Sequence, residues 1–119
     1  MVKNVLILDD ERVGAGIACA LSGSHDLTST ITHDLTMAMD RIAGGQAGLL
    51  LIDPTEFRNR PSLVSIIKAA NKNHVPVFLY TYQSEAELAS GGITPDMVKG
   101  VYQKPHMTYI GPVREELGL

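Results

Sequence analysis

The sequence predicts an α/β fold in which one parallel sheet is covered by helices on both faces. Five short apolar runs alternate along the chain with segments whose apolar residues recur every three or four positions. Apolar runs without polar alternation are typical of strands buried on both sides of a parallel sheet. The chain has 119 residues, of which 45% are hydrophobic. This size and composition suit a single domain over residues 1–119 with its own core.

The predicted strands differ in strength. Residues 5–8 and 49–52 are continuous runs of valine, leucine and isoleucine, whereas residues 27–32 are rich in threonine and predict a weaker strand. Residues 75–80 and 98–103 complete the set. Pro76 falls near the beginning of the fourth strand, where a missing amide hydrogen is tolerated.

The segments between the predicted strands have apolar residues at helical spacing. The fourth helix is short, because Ser84 and Glu87 have the spacing of a capping box and Gly91-Gly92 follows soon after. Pro112 is expected to open a last short helix that runs through Glu116. Three longer helices are indicated by apolar residues at helical spacing: Val13, Ile17, Ala20 and Leu21; Leu35, Ala38, Met39 and Ile42; and Leu63, Ile66, Ile67 and Ala70. Gly23 and Gly44-Gly45 are expected to end the first two helices, and Pro61 lies near the start of the third.

Composition limits the classes of partner. The net charge of −3 provides no basic field for nucleic acid, and no apolar run is long enough for a signal peptide or a membrane span. The lone cysteine, Cys19, excludes an internal disulfide, fits a reducing compartment and is expected in the core. We therefore expect a cytoplasmic protein. The four histidines lack metal-ligand spacing with Cys19 and are expected at the surface; they are His25, His33, His74 and His106.

Polar residues of interest all follow predicted strands. Asp9 and Asp10 come after the first strand, Asp53 after the third, Thr81 after the fourth and Lys104 after the fifth. Open α/β sheets bind ligands beyond the carboxyl ends of their strands. The five residues are therefore expected to meet in one pocket.

Their chemistry favours phosphoryl transfer. Crowded carboxylates such as Asp9, Asp10 and Asp53 repel one another unless a cation joins them, and Mg²⁺ prefers oxygen ligands and bridges to phosphate. A carboxylate can also attack phosphorus, and positive charge from Lys104 would stabilise the phosphoryl oxygens. The Thr81 hydroxyl could donate a hydrogen bond to the new phosphoryl group. Taken singly, each residue is better explained as part of a turn, loop or strand; the conjunction at four strand ends carries the hypothesis.

The sequence resembles the response-regulator receiver family through LILDDE at residues 6–11, LLID at 50–53, PVFLYT at 76–81 and GVYQKP at 100–105. The spacing fits that family across residues 2–105. The resemblance implies a flavodoxin-like, doubly wound sheet of order 2-1-3-4-5. It also implies a phosphoacceptor at Asp53, a metal site of Asp9, Asp10, Asp53 and the backbone carbonyl of Thr55, a switch hydroxyl at Thr81 and an active-site lysine at Lys104. The implied partners are a sensor histidine kinase or phosphotransfer protein and a downstream protein.

Four departures from the family pattern are present. Glu56-Phe57 stand where many members have Met-Pro, and Tyr82 follows the switch hydroxyl where a small residue is usual. Val101 replaces an aromatic residue three positions before the lysine. Gly111-Pro112 is expected to interrupt the last helix. The first two departures bear on the rate and lifetime of phosphorylation, and the last two on the output surface.

Two alternatives to a phosphorylated switch remain. The first is a degenerate receiver that binds partners without phosphorylation, an interpretation that draws on Tyr82, Val101 and the missing Met-Pro. The second is a small phosphotransfer or hydrolytic enzyme using Asp53 covalently, for which no second general acid is visible. A dinucleotide fingerprint near Gly14 is rejected, because it begins well after the first strand rather than in the turn.

Overall fold

The computed structural model describes residues 3–22 and 27–119, so that the predicted helix stop at Gly23 and the histidine His25 lie outside the described residues. Five strands form one parallel sheet in the order β2-β1-β3-β4-β5, as predicted. The strands are β1 (Lys3–Leu8), β2 (Leu27–Thr32), β3 (Leu49–Ile52), β4 (Val77–Thr81) and β5 (Gly100–Gln103).

The register of the sheet brings the strand ends to one edge. Leu8 of β1 lies opposite Ile52 of β3, and Thr81 of β4 lies opposite Gln103 of β5. The Asp53 amide donates to the Leu8 carbonyl at 2.9 Å, which extends the β1–β3 pairing by one residue. Residues that follow the strands therefore emerge side by side.

Most helices in the described ranges begin after a residue whose side chain caps the first turn, whereas the last helix has no side-chain cap. Asp10, Asp34, Asn59 and Ser84 accept hydrogen bonds from free amides of the first helical turn. Ser84 and Glu87 form the predicted capping box. The helices are α1 (Glu11–Leu21), α2 (Leu35–Ala43), α3 (Arg60–Lys72), α4 (Glu85–Ser90) and α5 (Ile110–Glu116), and 3₁₀ turns lie at Pro54–Glu56 and Pro95–Met97.

The core lies on both faces of the sheet. One face of the strands packs against α2, α3 and α4, and the other packs against α1 and α5. Gly14 lets α1 approach β2 closely, since a Cβ there would lie 2.5 Å from the Ile31 side chain. Gly14 thus has a packing role. No helix in the described ranges is long and apolar enough to cross a membrane.

Several predicted boundaries and placements were wrong. β4 begins at Val77, because Pro76 has no amide hydrogen to donate, and β5 begins at Gly100, after the Val98 amide has been used by the preceding 3₁₀ turn. The last helix begins at Ile110 and is not interrupted, because Pro112 occupies its first turn, where amides need no partner. Cys19 is exposed instead of buried, since Gly14, Ile17 and Leu21 form the buried face of α1.

Candidate functional site

Four of the predicted site residues form a buried polar group at the carboxyl edge of the sheet. Within residues 3–22 and 27–119, the buried polar or charged residues are Asp9, Asp53, Thr81 and Lys104. A domain buries such side chains only when they are paired, because removing a charge from water is costly. Asp10, the fifth predicted residue, is half-buried beside them.

Lys104 joins two of the carboxylates. Its Nζ lies 2.6 Å from Asp53 Oδ2 and 2.9 Å from Asp9 Oδ2. Burial opposes the charge of the ammonium group, but the hydrogen bonds to Asp53 and Asp9 outweigh this effect and raise the pKa of Lys104. The lysine is therefore the cation that holds the buried pair together within the protein itself.

Asp53 is held through both of its carboxylate oxygens. Oδ2 accepts from Lys104, while Oδ1 accepts from the Thr55 amide at 3.0 Å and from the Thr55 hydroxyl at 2.7 Å. Burial alone would raise the pKa of Asp53, but the hydrogen bonds from Lys104 and Thr55 outweigh it and lower the pKa below its usual value. Asp53 is thus kept ionised, which is the form that a nucleophilic carboxylate requires.

Asp9 has a different electrostatic environment from Asp53. Its Oδ1 accepts from the Asp10 amide at 2.7 Å, and Lys104 contacts its other oxygen. Here burial is the dominant influence and raises the pKa of Asp9, although Lys104 partly opposes it. A bound cation would favour the ionised form of this carboxylate.

Asp9 also belongs to a cluster of three carboxylates. Asp9, Asp10 and Glu56 each place one oxygen so that all three atoms lie within 4.8 Å of one another. Asp10 uses one oxygen, Oδ1, to cap α1 through the Val13 amide at 2.8 Å. The third member of the cluster is Glu56, which the metal prediction did not include.

The donor set suits a hard cation such as Mg²⁺. All of its ligand atoms are carboxylate oxygens, and oxygen atoms around a bound Mg²⁺ lie roughly 3 to 4 Å apart. The separations within the cluster, at most 4.8 Å, are close to this spacing. The residues therefore fit the ion that the sequence resemblance implies. That Asp53 and the Thr55 carbonyl also bind this ion remains a prediction.

Comparison with solved structures identifies the fold. The chain matches a response regulator receiver protein from Sinorhizobium medicae with a TM-score of 0.73 at 18% identity, over 98% of this chain and 94% of that one. It matches the phosphorylated cyanobacterial phytochrome response regulator RcpA with a TM-score of 0.69 at 15% identity, over 98% and 91% of the two chains. The chain has the receiver-domain fold.

A shared fold does not by itself assign chemistry. A de novo designed Rossmann 2x3 protein also matches, with a TM-score of 0.65 at 13% identity over 98% of this chain and 89% of that one. Neither a protein-family model nor a curated protein sequence matches the chain. Any function must therefore be argued from the residues at the edge of the sheet.

Two tyrosine rings lie near the buried lysine. Lys104 Nζ lies 5.5 Å from the centre of the Tyr80 ring and 5.9 Å from that of Tyr82. Tyr80 is buried, and burial raises its pKa. Tyr82 is 67% exposed, and Met107 is also exposed. Tyr82 thus forms part of the rim around Lys104.

Thr81 is connected to β5 through a short chain of hydrogen bonds. Thr81 Oγ1 accepts from the Gln83 amide at 3.2 Å, and the Gln83 carbonyl accepts from Gln103 Nε2 at 2.9 Å. Accepting the first bond leaves the hydroxyl hydrogen of Thr81 available as a donor. Val101, at the position where receivers usually have an aromatic residue, instead packs its half-buried side chain against the core on the α4 side.

Three contributors to this site were missed by sequence reasoning. The Thr55 hydroxyl, Glu56 and the Gln83–Gln103 contact each depend on loop geometry that residue spacing does not predict. Glu56 was visible only as a departure from the family pattern. Its acidic character, three residues after a predicted metal-binding aspartate, was the one signal that could have indicated it.

Proposed function

We propose that this chain is a phosphoacceptor signalling domain that receives a phosphoryl group on Asp53 in the presence of Mg²⁺. The observation that carries the proposal is the buried Asp53 carboxylate, with Lys104 Nζ 2.6 Å from its Oδ2 and a carboxylate cluster alongside. The donor would be a phosphohistidine of a sensor kinase or phosphotransfer protein in the cytoplasm. The domain would act on no external substrate and would catalyse at most its own phosphorylation and dephosphorylation.

The proposed transfer exchanges one bond to phosphorus for another. Asp53 Oδ2 attacks, the P–N bond of the donor breaks, and its electron pair returns to the imidazole ring. The product is an aspartyl phosphate, a mixed anhydride. Thr55 keeps Oδ1 in place through two hydrogen bonds, so that Oδ2 is the oxygen presented for attack.

Lys104 and Thr81 have separate roles in this proposal. Lys104 moves from Oδ2 to a phosphoryl oxygen while it keeps its contact with Asp9. The Thr81 hydroxyl donates to a second phosphoryl oxygen. Asp9, Asp10, Asp53 and the Thr55 carbonyl would hold the magnesium ion, which neutralises charge on the transferring group when bound.

Intact-mass measurement tests the proposal. The protein is incubated with Mg²⁺ and a small acyl phosphate donor, and we expect a mass increase of one phosphoryl group that does not form when a chelator removes the metal. A domain that binds partners without phosphorylation, the alternative that draws on Tyr82, Val101 and the missing Met-Pro, would show no increase in either sample.

Tyr82 is expected to limit access to Asp53. Its ring lies at the rim, 5.9 Å from Lys104 Nζ. The variant Tyr82→Ala should be phosphorylated faster by small donors and should lose its phosphoryl group faster, because donor and water both reach Asp53 more easily. Both rates are followed by mass spectrometry, with Met107→Ala as a control for the loss of another exposed large apolar side chain. Unchanged rates in Tyr82→Ala would show that the ring does not gate the site.

Output is expected to leave through the loop that follows Thr81. If Thr81 is drawn toward a phosphoryl oxygen, its bond to Gln83 is strained and the contact between Gln83 and Gln103 shifts with it. The helix α4 follows directly and has only six residues, so it is the easiest element to displace.

Hydrogen exchange with and without a phosphoryl mimic on Asp53 measures this response. We expect the mimic to change protection across residues 81–100. The variant Gln103→Ala should reduce the change that reaches β5 while leaving phosphorylation intact. Changes confined to residues 54–60 would contradict this route of signalling.

A further inference from the structure

Glu56 lies at the end of the 3₁₀ turn that follows Asp53. Pro54 opens this turn, and Asp53 Oδ1 caps it through the Thr55 amide. Directly after Glu56, the Phe57 side chain is buried in the core. The two anchored ends fix the path of the turn, so that the exposed Glu56 side chain reaches the Asp9–Asp10 pair.

The charges of this cluster are unevenly compensated. Lys104 contacts Asp9 and Asp53, whereas neither Asp10 nor Glu56 has an ion pair with it. Glu56 Oε2 instead lies 3.5 Å from His33 Nε2, whose ring packs near Phe57 with 5.7 Å between ring centres. Asp10 and Glu56, the more exposed members of the cluster, therefore carry negative charge that Lys104 does not pair.

We propose that Glu56 is a direct carboxylate ligand of the divalent cation, in addition to Asp9 and Asp10. This inference rests on the metal site of the proposed function and goes beyond the ligands that the receiver resemblance implies. A methionine, the common residue at this position in the resembling family, offers no oxygen to a hard cation. This chain thus adds a charged ligand where the family pattern has none.

An added carboxylate changes the metal concentration at which the site is occupied. Affinity for hard divalent cations rises with the number of charged ligands, so Mg²⁺ or Mn²⁺ should bind at lower concentration than it would without Glu56. The extra negative charge also leaves less positive charge for the incoming phosphoryl group. Glu56 should therefore lower the metal concentration needed for phosphorylation.

Direct metal titration of three proteins tests the proposal. Mn²⁺ binding is measured from the electron paramagnetic resonance signal of the free ion, and Mg²⁺ binding from its competition with Mn²⁺. The proteins are the wild type, Glu56→Gln and the control Glu11→Gln, which removes an exposed acidic charge next to Asp10 that is outside the cluster. We expect Glu56→Gln to weaken binding of both ions about tenfold, and Glu11→Gln to weaken it by about twofold or less.

Phosphorylation at a range of Mg²⁺ concentrations separates this inference from the proposed function. Glu56→Gln should need about tenfold more Mg²⁺ than the wild type to reach half of its own maximal phosphorylation. Equal losses of affinity in Glu56→Gln and Glu11→Gln would show a general field effect and overturn the inference, as would wild-type affinity in Glu56→Gln. A wild type that binds metal but is never phosphorylated would overturn the proposed function and leave the ligand assignment standing; a wild type that binds no metal would overturn both.

Discussion

Asp53→Asn is expected to abolish acyl phosphate formation while leaving the fold intact. The amide oxygen of asparagine is too weak a nucleophile to attack phosphorus, but it can still accept the two hydrogen bonds from Thr55 that fix Asp53 Oδ1. Lys104 would keep Asp9 as its ionic partner. We therefore expect no mass increase with Mg²⁺ and phosphodonor, together with an unchanged circular dichroism spectrum.

The matched control for this experiment is Asp40→Asn. Asp40 is an exposed aspartate on α2, away from the predicted site, so its replacement removes the same charge without touching the buried group. It should be phosphorylated like the wild type. Phosphorylation of the Asp53→Asn protein at the wild-type level would place the acceptor elsewhere.

Lys104→Met is expected to have the largest effect on stability. Lys104 is buried and joins Asp9 to Asp53, so its removal leaves two buried carboxylates without a cation. Breaking a buried ion pair by removing one partner costs about 3 kcal/mol or more in the free energy of unfolding. We expect a loss of about this size at pH 7, measured by urea unfolding, and also a large loss of phosphorylation rate.

The pH dependence of this loss has a defined sign. In the wild type, the lowered pKa of Asp53 contributes stability that is present at neutral pH and is lost as the pH falls through that lowered pKa. Without Lys104, burial should raise the pKa of the carboxyls, so protonation on acidification stabilises the variant. The difference between the two proteins should therefore shrink from pH 7 to pH 5.

Controls for Lys104→Met come from the same chain. Lys68→Met replaces an exposed lysine of α3 and should change the free energy of unfolding by less than about 0.5 kcal/mol. The double variant Lys104→Met with Asp53→Asn should recover part of the lost stability, because one unpaired charge is removed. An equal effect of Lys104→Met and Lys68→Met would contradict the role of Lys104 as the internal cation.

The sequence predicted the strands from short, mostly apolar runs, of which the threonine-rich β2 is the weakest, and the resemblance supplied the order of the sheet. It also predicted which polar residues meet, since Asp9, Asp53, Thr81 and Lys104 each sit at or just beyond a strand end, and parallel strands end at one edge. These features follow from residue order along the chain. They needed no knowledge of side-chain conformation.

Other features depended on competition between local forces. Apolar residues lie on most sides of α1, so residue spacing did not show which side is buried. In the structure Gly14 packs against Ile31, and Cys19 is exposed. The position of Glu56 is set by the turn between Asp53 and the buried Phe57, which spacing alone does not describe. Lys104 was expected in the pocket as a positive charge for the phosphoryl oxygens, but its direct contacts with Asp9 and Asp53 do not follow from residue spacing.

The most direct test of the account is to locate the phosphoryl group within the chain. After incubation with Mg²⁺ and a small acyl phosphate, the protein is denatured and treated with borohydride, which reduces an aspartyl phosphate to the alcohol homoserine. Peptide mass mapping then identifies the modified position. We expect conversion at residue 53 alone, in the wild type and in Asp40→Asn. Conversion at another aspartate, or none in a protein shown to be folded and supplied with Mg²⁺, would contradict phosphorylation at Asp53.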